Sequence, residues 1–423
     1  MKKFNKLMSV VLASAMVTAL LAGCGNSSDA ASEGTTTDTA DTAAADESAA
    51  TDETAAADAT AEETTAATGE GTFKIGGIGP ITGSTAVYGK AVQNAAQLAV
   101  DEINAAGGIN GSQIEYKFED DEGDAEKSVN AYNTLKDWGM QMLMGTVTSG
   151  CCVAVAEKTQ ADNMFQLTPS GSSVECVQYD NAFRVCFSDP NQGMASAKYI
   201  GENGIATKVA VIYDSSDIYS SGIYQKFAEE AKNQSFEIVS AEAFTADSKT
   251  DFSVQLQKAK DSGAELVFLP IYYTEASLIL SQASTLNYAP IFFGCDGLDG
   301  ILDVENFDKT LAEGVMLLTP FAADAQDDLT VKFVAAYNEK FGETPNQFAA
   351  DAYDAIYAIK AAAEKAGITP DMDMSAICDA MKTAMTEISL DGLTGVGMTW
   401  DASGEPNKAP KAVKITDGAY AAM

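Results

Sequence analysis

Two successive series of short apolar runs, each run followed by a stretch of helical periodicity, leave this chain few folds to adopt. The first series opens with Phe73-Lys74-Ile75-Gly76-Gly77-Ile78-Gly79, which reads as a strand entering a Gly-Pro loop. From Lys90 to Ala106 the apolar residues Val92, Ala95, Ala96, Ala99, Val100 and Ile103 recur at helical spacing, and Gly107-Gly108 end the run. The spacing then predicts a strand over 114–118, a helix over 125–138, a buried strand over 141–144, a helix from Thr148-Ser149-Gly150 through Ala161, and a strand over 164–167. A β-α-β-α-β-α-β order implies a parallel sheet covered by helices on both faces.

The pattern resets at Val209-Ala210-Val211-Ile212-Tyr213, a second buried strand start. Helix is expected over 220–233, 253–260 and 275–284, and strand over 237–243, 266–269 and 291–293. The stretch 329–385 is mostly helical, and short strands are expected near 396–400 and 412–415. The break between sheets falls near 188–192. The chain has 423 residues, too many for one core of ordinary size. Two α/β lobes of ~120–200 residues each fit the size rule.

The N-terminus reads as processing rather than fold. Met1-Lys2-Lys3 through Lys6 form a basic segment, Leu7 to Leu21 an apolar one, and Leu20-Leu21-Ala22-Gly23-Cys24 a bacterial lipobox. The apolar stretch is shorter than the ~20 residues a membrane span requires. Residues 1–23 are therefore expected to be a lipoprotein signal peptide and Cys24 the lipidated residue. Residues 25–70 are almost only Ala, Thr, Ser, Gly, Asp and Glu, with twelve acidic residues and no Lys, Arg or aromatic. Such a segment buries too little apolar surface to offset its ordering entropy, so residues 24–71 read as a disordered acidic tether.

The net charge of −35 argues against nucleic-acid binding, which needs clustered Lys and Arg. Histidine is absent, which removes Ser-His-Asp and Cys-His nucleophilic systems and the usual His-containing zinc sites. No metal, cofactor or catalytic residue is expected, and the chain is not expected to be an enzyme. Six cysteines follow Cys24, and Cys176 and Cys186, flanking a probable turn, are the first candidates for a disulfide.

Four segments, weak singly and specific in order and spacing, carry a resemblance. They are Ile78-Gly79-Pro80-Ile81-Thr82-Gly83 with Tyr88-Gly89 and the run from Ala99 to Gly111; Thr168-Pro169-Ser170-Gly171-Ser172 with Phe183-Arg184; Tyr272-Tyr273-Thr274-Glu275-Ala276; and Gly294-Cys295-Asp296-Gly297. Over residues 72–420 the chain resembles the type I periplasmic binding proteins, and within them the leucine/isoleucine/valine-binding family of ABC-transporter substrate-binding proteins. The resemblance implies an α/β fold of two doubly wound parallel-sheet lobes joined by a three-stranded hinge. It implies lobe I over 72–189 plus 320–398, lobe II over 190–319 plus 399–423, and a ligand in the cleft between them.

The resemblance also implies site residues. Ser149, at a helix start, and Ser172 match carboxylate-binding positions, with Ser170 offering its backbone. Asp296 stands where the branched-chain binders often carry Glu and is the candidate ammonium partner. Tyr88, Tyr219 and one of Tyr272 and Tyr273 are aromatic wall candidates, Tyr272 being favoured on strand alternation. Cys151 and Cys152 replace small hydroxyl residues of the family and are expected to shape the side-chain pocket. The partners implied are a small amino-acid-like ligand, a membrane ABC permease and the membrane itself through the lipid; the chain is expected to be a monomer. The competing readings are a stand-alone sensor-type binding protein for an amide or aromatic acid, and an enzyme that works without histidine. No apolar span follows the second series, so a fused receptor is not expected.

Overall fold

The computed structural model describes residues 71–423; Cys24, the signal segment and nearly all of the acidic stretch lie outside the described residues. The first series forms β1 (Thr72–Gly79), α1 (Ala86–Ala105), β2 (Gln113–Asp120), α2 (Ala125–Trp138), β3 (Met142–Gly145), α3 (Ser149–Asp162), β4 (Phe165–Thr168) and β5 (Ala182–Arg184). After α4 (Asp189–Glu202), the second series forms β6 (Lys208–Asp214), α5 (Ile218–Glu230), β7 (Glu237–Phe244), α6 (Ser253–Asp261), β8 (Leu266–Leu269), α7 (Tyr273–Thr285), β9 (Ile291–Gly294) and β10 (Met316–Thr319). Then come α8 (Asp328–Phe341), α9 (Gln347–Ala366), α10 (Met374–Met385), β11 (Lys411–Thr416) and β12 (Ala419–Ala422).

The first sheet has the order β2-β1-β3-β4-β5 and is parallel throughout. Alternation along β1 sends Phe73 and Ile75 into the core beneath α1 and α9, and Ile78 into the core shared with Tyr132 and Leu135 of α2 and Val155 of α3. The second sheet, β12-β11-β10-β9-β8-β6-β7, repeats this winding and adds two antiparallel strands at one edge. In each sheet the first strand of the series lies beside the second on one side and the third on the other. A parallel sheet wound this way has a switch point, and ligands sit at the carboxyl ends of the strands there. The switch points are β1/β3 in one sheet and β6/β8 in the other.

The chain passes between the sheets three times. It leaves after β5, since α4 packs on α5; it returns after β10, since α8 and α9 pack on α1; and it leaves again after α10 to form β11. The α1–α9 contact is built from small residues, with Ala95, Ala96 and Ala99 facing a helix whose Ala349, Ala352, Ala355, Ala358 and Ala362 are all fully buried. Small side chains let the helix axes approach closely. The third passage is fastened by Lys408, whose Nζ donates to Val185 O at 2.8 Å and pairs with Asp351 Oδ1 at 2.7 Å. Both partners of this ion pair are buried.

Several elements differ from the sequence expectations. Helix α1 starts at Ala86 and α5 at Ile218, so Tyr88 and Tyr219 lie in first helical turns. Tyr272 is the cap residue before α7 and not part of a strand, so strand alternation does not decide between it and Tyr273. Residues 396–400 form only isolated bridges, Leu390 to Met398 and Trp400 to Pro406. Local periodicity missed α4, β5, β10 and β12. All six cysteines of the described residues are buried free thiols, so the Cys176–Cys186 bridge does not form. The Cys176 thiol turns instead toward α3, donating to Ser149 O at 3.7 Å.

Candidate functional site

The loops after β1, β3 and β4 meet those after β6, β8 and β9, and between them lies a small, tightly closed cavity. Tyr88, Ser149, Ser170, Ser172, Tyr219, Tyr272 and Asp296 all line it, with Val147, Thr148, Gly297 and Phe348. Cys151 and Cys152 do not; both are buried behind it, Cys152 against the loop at Gly171. As the third and fourth residues of α3, they point into the lobe rather than at the mouth of the helix.

One end of the cavity gathers hydrogen-bond donors. Thr148 caps α3 without a side-chain capping bond, which leaves first-turn N–H groups open at the positive end of the helix. The Ser149 Oγ accepts from Ser172 N at 3.2 Å and Ser173 N at 3.1 Å, and lies 3.3 Å from Ser172 Oγ. With two N–H groups already on its oxygen, the Ser149 hydroxyl keeps its proton to donate. Ser170 spends its hydroxyl on Val147 O at 2.8 Å, which ties the two serine loops together. Arg184, fully buried, braces the second loop from behind through Gly171 O and Ser173 O, each at 2.9 Å, and pairs with Glu405 at 3.2 Å.

The opposite end holds a carboxylate. Asp296 Oδ1 accepts from Tyr219 OH at 2.6 Å and Gly297 N at 2.7 Å, and Oδ2 accepts from Gln192 Nε2 at 3.0 Å. Burial pushes its acid up to about 6, with the Tyr219, Gly297 and Gln192 bonds pulling the other way. Gln192, which donates to this carboxylate and accepts from Asp296 N at 3.2 Å, was not singled out by the sequence, because α4 leaves no clear periodic signal. Phe348 is a second such residue; it reaches the site from a helix that starts more than 50 residues after Asp296.

Between the ends stands an aromatic wall. Tyr88 stacks on Phe348 with centroids 4.1 Å apart, and Tyr219 on Tyr272 at 4.8 Å. Tyr273 turns away and packs edge-on to Tyr88 at 4.9 Å. The wall also latches the lobes: Tyr88 OH donates to Gly297 O at 2.5 Å, Val87 N to Tyr273 OH at 3.2 Å, and Thr274 Oγ1 to Ser84 O at 2.6 Å. Outside Thr148 and Tyr272 the cleft widens into an open recess of about 220 Å³. Its rim carries Glu122, Asp214, Asp217 and Glu275 against one cation, Lys249, which pairs with Glu275 at 3.4 Å.

Two doubly wound lobes whose switch points face each other across a small polar-ended cavity are the architecture of the type I periplasmic binding proteins. The chain belongs to the periplasmic binding protein family, whose model matches residues 72–419. A Leu/Ile/Val-binding protein homolog 3 from Brucella melitensis is 31% identical over 306 residues, covering 70% of this chain and 80% of its own length. A leucine-, isoleucine-, valine-, threonine- and alanine-binding protein from Pseudomonas aeruginosa is 28% identical over 74% of this chain and 82% of its own. Among solved structures, the branched-chain amino acid transporter substrate binding protein LivJ from Streptococcus pneumoniae, in complex with isoleucine, superposes with a TM-score of 0.76. It is 30% identical and covers 84% of this chain and 99% of its own. A solute binding protein from R. palustris in complex with benzoate shares the fold, with a TM-score of 0.74 at 19% identity, over 84% of this chain and 96% of its own.

Proposed function

We propose that this chain is the extracytoplasmic substrate-binding lipoprotein of an ABC importer, and that it captures a branched-chain or similar aliphatic amino acid between its lobes. The observation that carries this reading is the polarity of the inner cavity. Hydroxyl and N–H donors around Ser149 and Ser172 match a carboxylate, and Asp296 matches an ammonium. A water-poor cleft that left either charge unmatched would lose several kcal/mol. The apolar faces of Tyr88, Tyr219, Tyr272 and Phe348 suit an aliphatic side chain.

The lobes take residues 72–189 plus 320–398 and residues 190–319 plus 399–423, and they open and close about the three passages. Each interlobe hydrogen bond contributes only about 1 kcal/mol net, so the ligand's preference for the closed form decides the population. The lipid on Cys24 and the acidic tether keep the lobes near the membrane, where a permease receives the ligand. The work is binding without turnover, and mass analysis of recovered ligand checks this: an altered mass contradicts it. For the ligand class, the test is a thermal-shift screen of the purified protein against amino acids, amides and aromatic acids. Leucine, isoleucine or valine is expected to raise the melting temperature. A screen in which no zwitterionic amino acid does so, while an aromatic acid does, overturns the reading.

A further inference from the structure

Three successive carbonyls in the loop after β4 take their hydrogen bonds from residues that do not line the cavity, and one side chain supplies two of them. Gly171 O accepts from Arg184 Nη1 and Ser173 O from Arg184 Nη2, each at 2.9 Å. Ser172 O, between them, accepts from Asp189 N at 2.9 Å. These peptides are trans, and the C=O and N–H of a trans peptide point in opposite directions. With its carbonyl held by Arg184, the Gly171–Ser172 peptide turns the Ser172 N–H the other way, onto Ser149 Oγ at 3.2 Å. The next peptide, held at Ser172 O, turns the Ser173 N–H onto the same oxygen at 3.1 Å. Those two bonds are what leave the Ser149 hydroxyl its proton to donate.

Arg184 is the last residue of β5, an edge strand of the first sheet, and it is fully buried. The third passage between the lobes lies along this edge and meets Arg184 at main chain and side chain alike. Arg184 N donates to Gly404 O at 3.0 Å, Trp400 Nε1 donates to Arg184 O at 2.7 Å, and Glu405 Oε1 pairs with Arg184 Nη2 at 3.2 Å. The approach is close enough that a Cβ on Gly404 would stand 2.4 Å from Ala182 O, and Gly404 has a φ of +81°. Glycine takes that backbone conformation without strain. A buried guanidinium is costly unless its charge and its donors are matched. Among the described residues Glu405 is its one ion-pair partner, and Nε has no hydrogen-bond acceptor. Arg184 Nη2 therefore serves the serine loop and the third passage together.

We propose that Arg184 is a positioning residue for the ligand carboxylate: it orients the peptides behind Ser149 and, through Glu405, ties that orientation to the third passage, so that the donor end and the hinge reach their closed arrangement together. This rests on the amino-acid reading of the site. Arg184 does not line the cavity and acts through Ser172 and Ser149.

The test is a double-mutant cycle on amino-acid affinity, since residues that act through one another give non-additive effects and independent ones do not. Titration calorimetry on the purified protein, with leucine, isoleucine and valine as probes, compares the native chain with Arg184→Lys, Glu405→Gln and Ser149→Ala, and with Ser149→Ala combined with each of the other two. Melting temperatures are measured alongside, because a merely structural role lowers them and leaves the affinity of the folded protein unchanged. Arg184→Lys is expected to weaken binding at least tenfold in the native chain and less than threefold in the Ser149→Ala chain. Glu405 is partly exposed, so Glu405→Gln keeps the cycle available should Arg184→Lys fail to fold; it is expected to weaken binding about threefold, and only where Ser149 is present. Unchanged affinity in Glu405→Gln, or equal losses with and without Ser149 in either variant, overturns the proposal and leaves the amino-acid reading standing. A native protein that binds none of the three amino acids removes that reading, and the proposal with it.

Discussion

Replacing Asp296 is the sharpest perturbation the site offers. The carboxylate accepts three hydrogen bonds, from Tyr219 OH at 2.6 Å, Gly297 N at 2.7 Å and Gln192 Nε2 at 3.0 Å. An ammonium facing it would gain a charge-assisted bond worth about 1.5–3 kcal/mol. At 1.4 kcal/mol per decade, its loss weakens amino-acid binding roughly 10- to 150-fold. Asp296→Ala has a second effect, since it strands the buried Tyr219 and Gln192 donors at about 1–3 kcal/mol each before relaxation or water entry, while Gly297 N keeps Tyr219 OH at 3.0 Å. Asp296→Asn separates the two effects: its amide oxygen still accepts from Tyr219 and Gly297, while its charge is gone. The expected result is a comparable affinity loss in both variants, with a clearly smaller fall in melting temperature for Asp296→Asn. Titration calorimetry and differential scanning calorimetry read the two quantities. Unchanged amino-acid affinity in Asp296→Asn refutes the ammonium role.

The pH dependence follows from the same group. With its acid at about 6, Asp296 takes up a proton below that value, so amino-acid affinity is expected to be weaker at pH 5 than at pH 7.5, and constant affinity contradicts the assignment. Asp121, half-buried Asp217, Asp296 and Asp351 are all raised to about 6 and Asp299 to about 7, in each case mainly by loss of solvent around the carboxyl. A raised carboxyl stabilises the fold below its unfolded value near 4 and loses that contribution as pH rises through the folded value. The ligand-free protein should therefore melt higher at pH 5 than at pH 7.5, and the ligand-induced rise in melting temperature should be larger at pH 7.5. Lys408→Ala leaves the Asp351 charge buried without its partner and is expected to cost about 3–5 kcal/mol in urea unfolding, with a Lys408→Ala/Asp351→Ala double variant recovering part of that. Six free thiols are expected in denatured residues 71–423, none of them reactive in the native protein; titration with a thiol reagent that finds fewer than six after unfolding refutes the assignment.

Local periodicity carried much of the fold. The strands at 266–269 and 291–293 and the helix from Ser149 were legible because a change of apolar period and a helix-start signal are properties of a few adjacent residues. Ser149 was legible for the same reason, since a hydroxyl before an apolar helical run marks a helix mouth whether or not a ligand sits there. Short elements such as β5, of three residues, and β10, of four, gave too few positions for a period to register. The first turns of α1 and α5 were missed because Tyr88 and Tyr219 interrupt the apolar stripe with residues that serve the cleft.

By itself, then, the sequence determined two βα series and the helix mouths and strand ends from which a site is made. Only the tertiary structure decided which of these meet. Gln192 and Asp296 are 104 positions apart, and Tyr88 and Gly297 209 apart. The return of α8 and α9 to α1, which brings Phe348 into the cavity, left no mark in local period. Cysteine pairing belongs to the same class. The physical reason is that a period tells which face of an element is buried, whereas the partner of that face is set by how all the apolar faces are covered at once. Partners so distant in the chain are joined by packing, at a loop-closure cost that grows only slowly with separation, and no short segment records them.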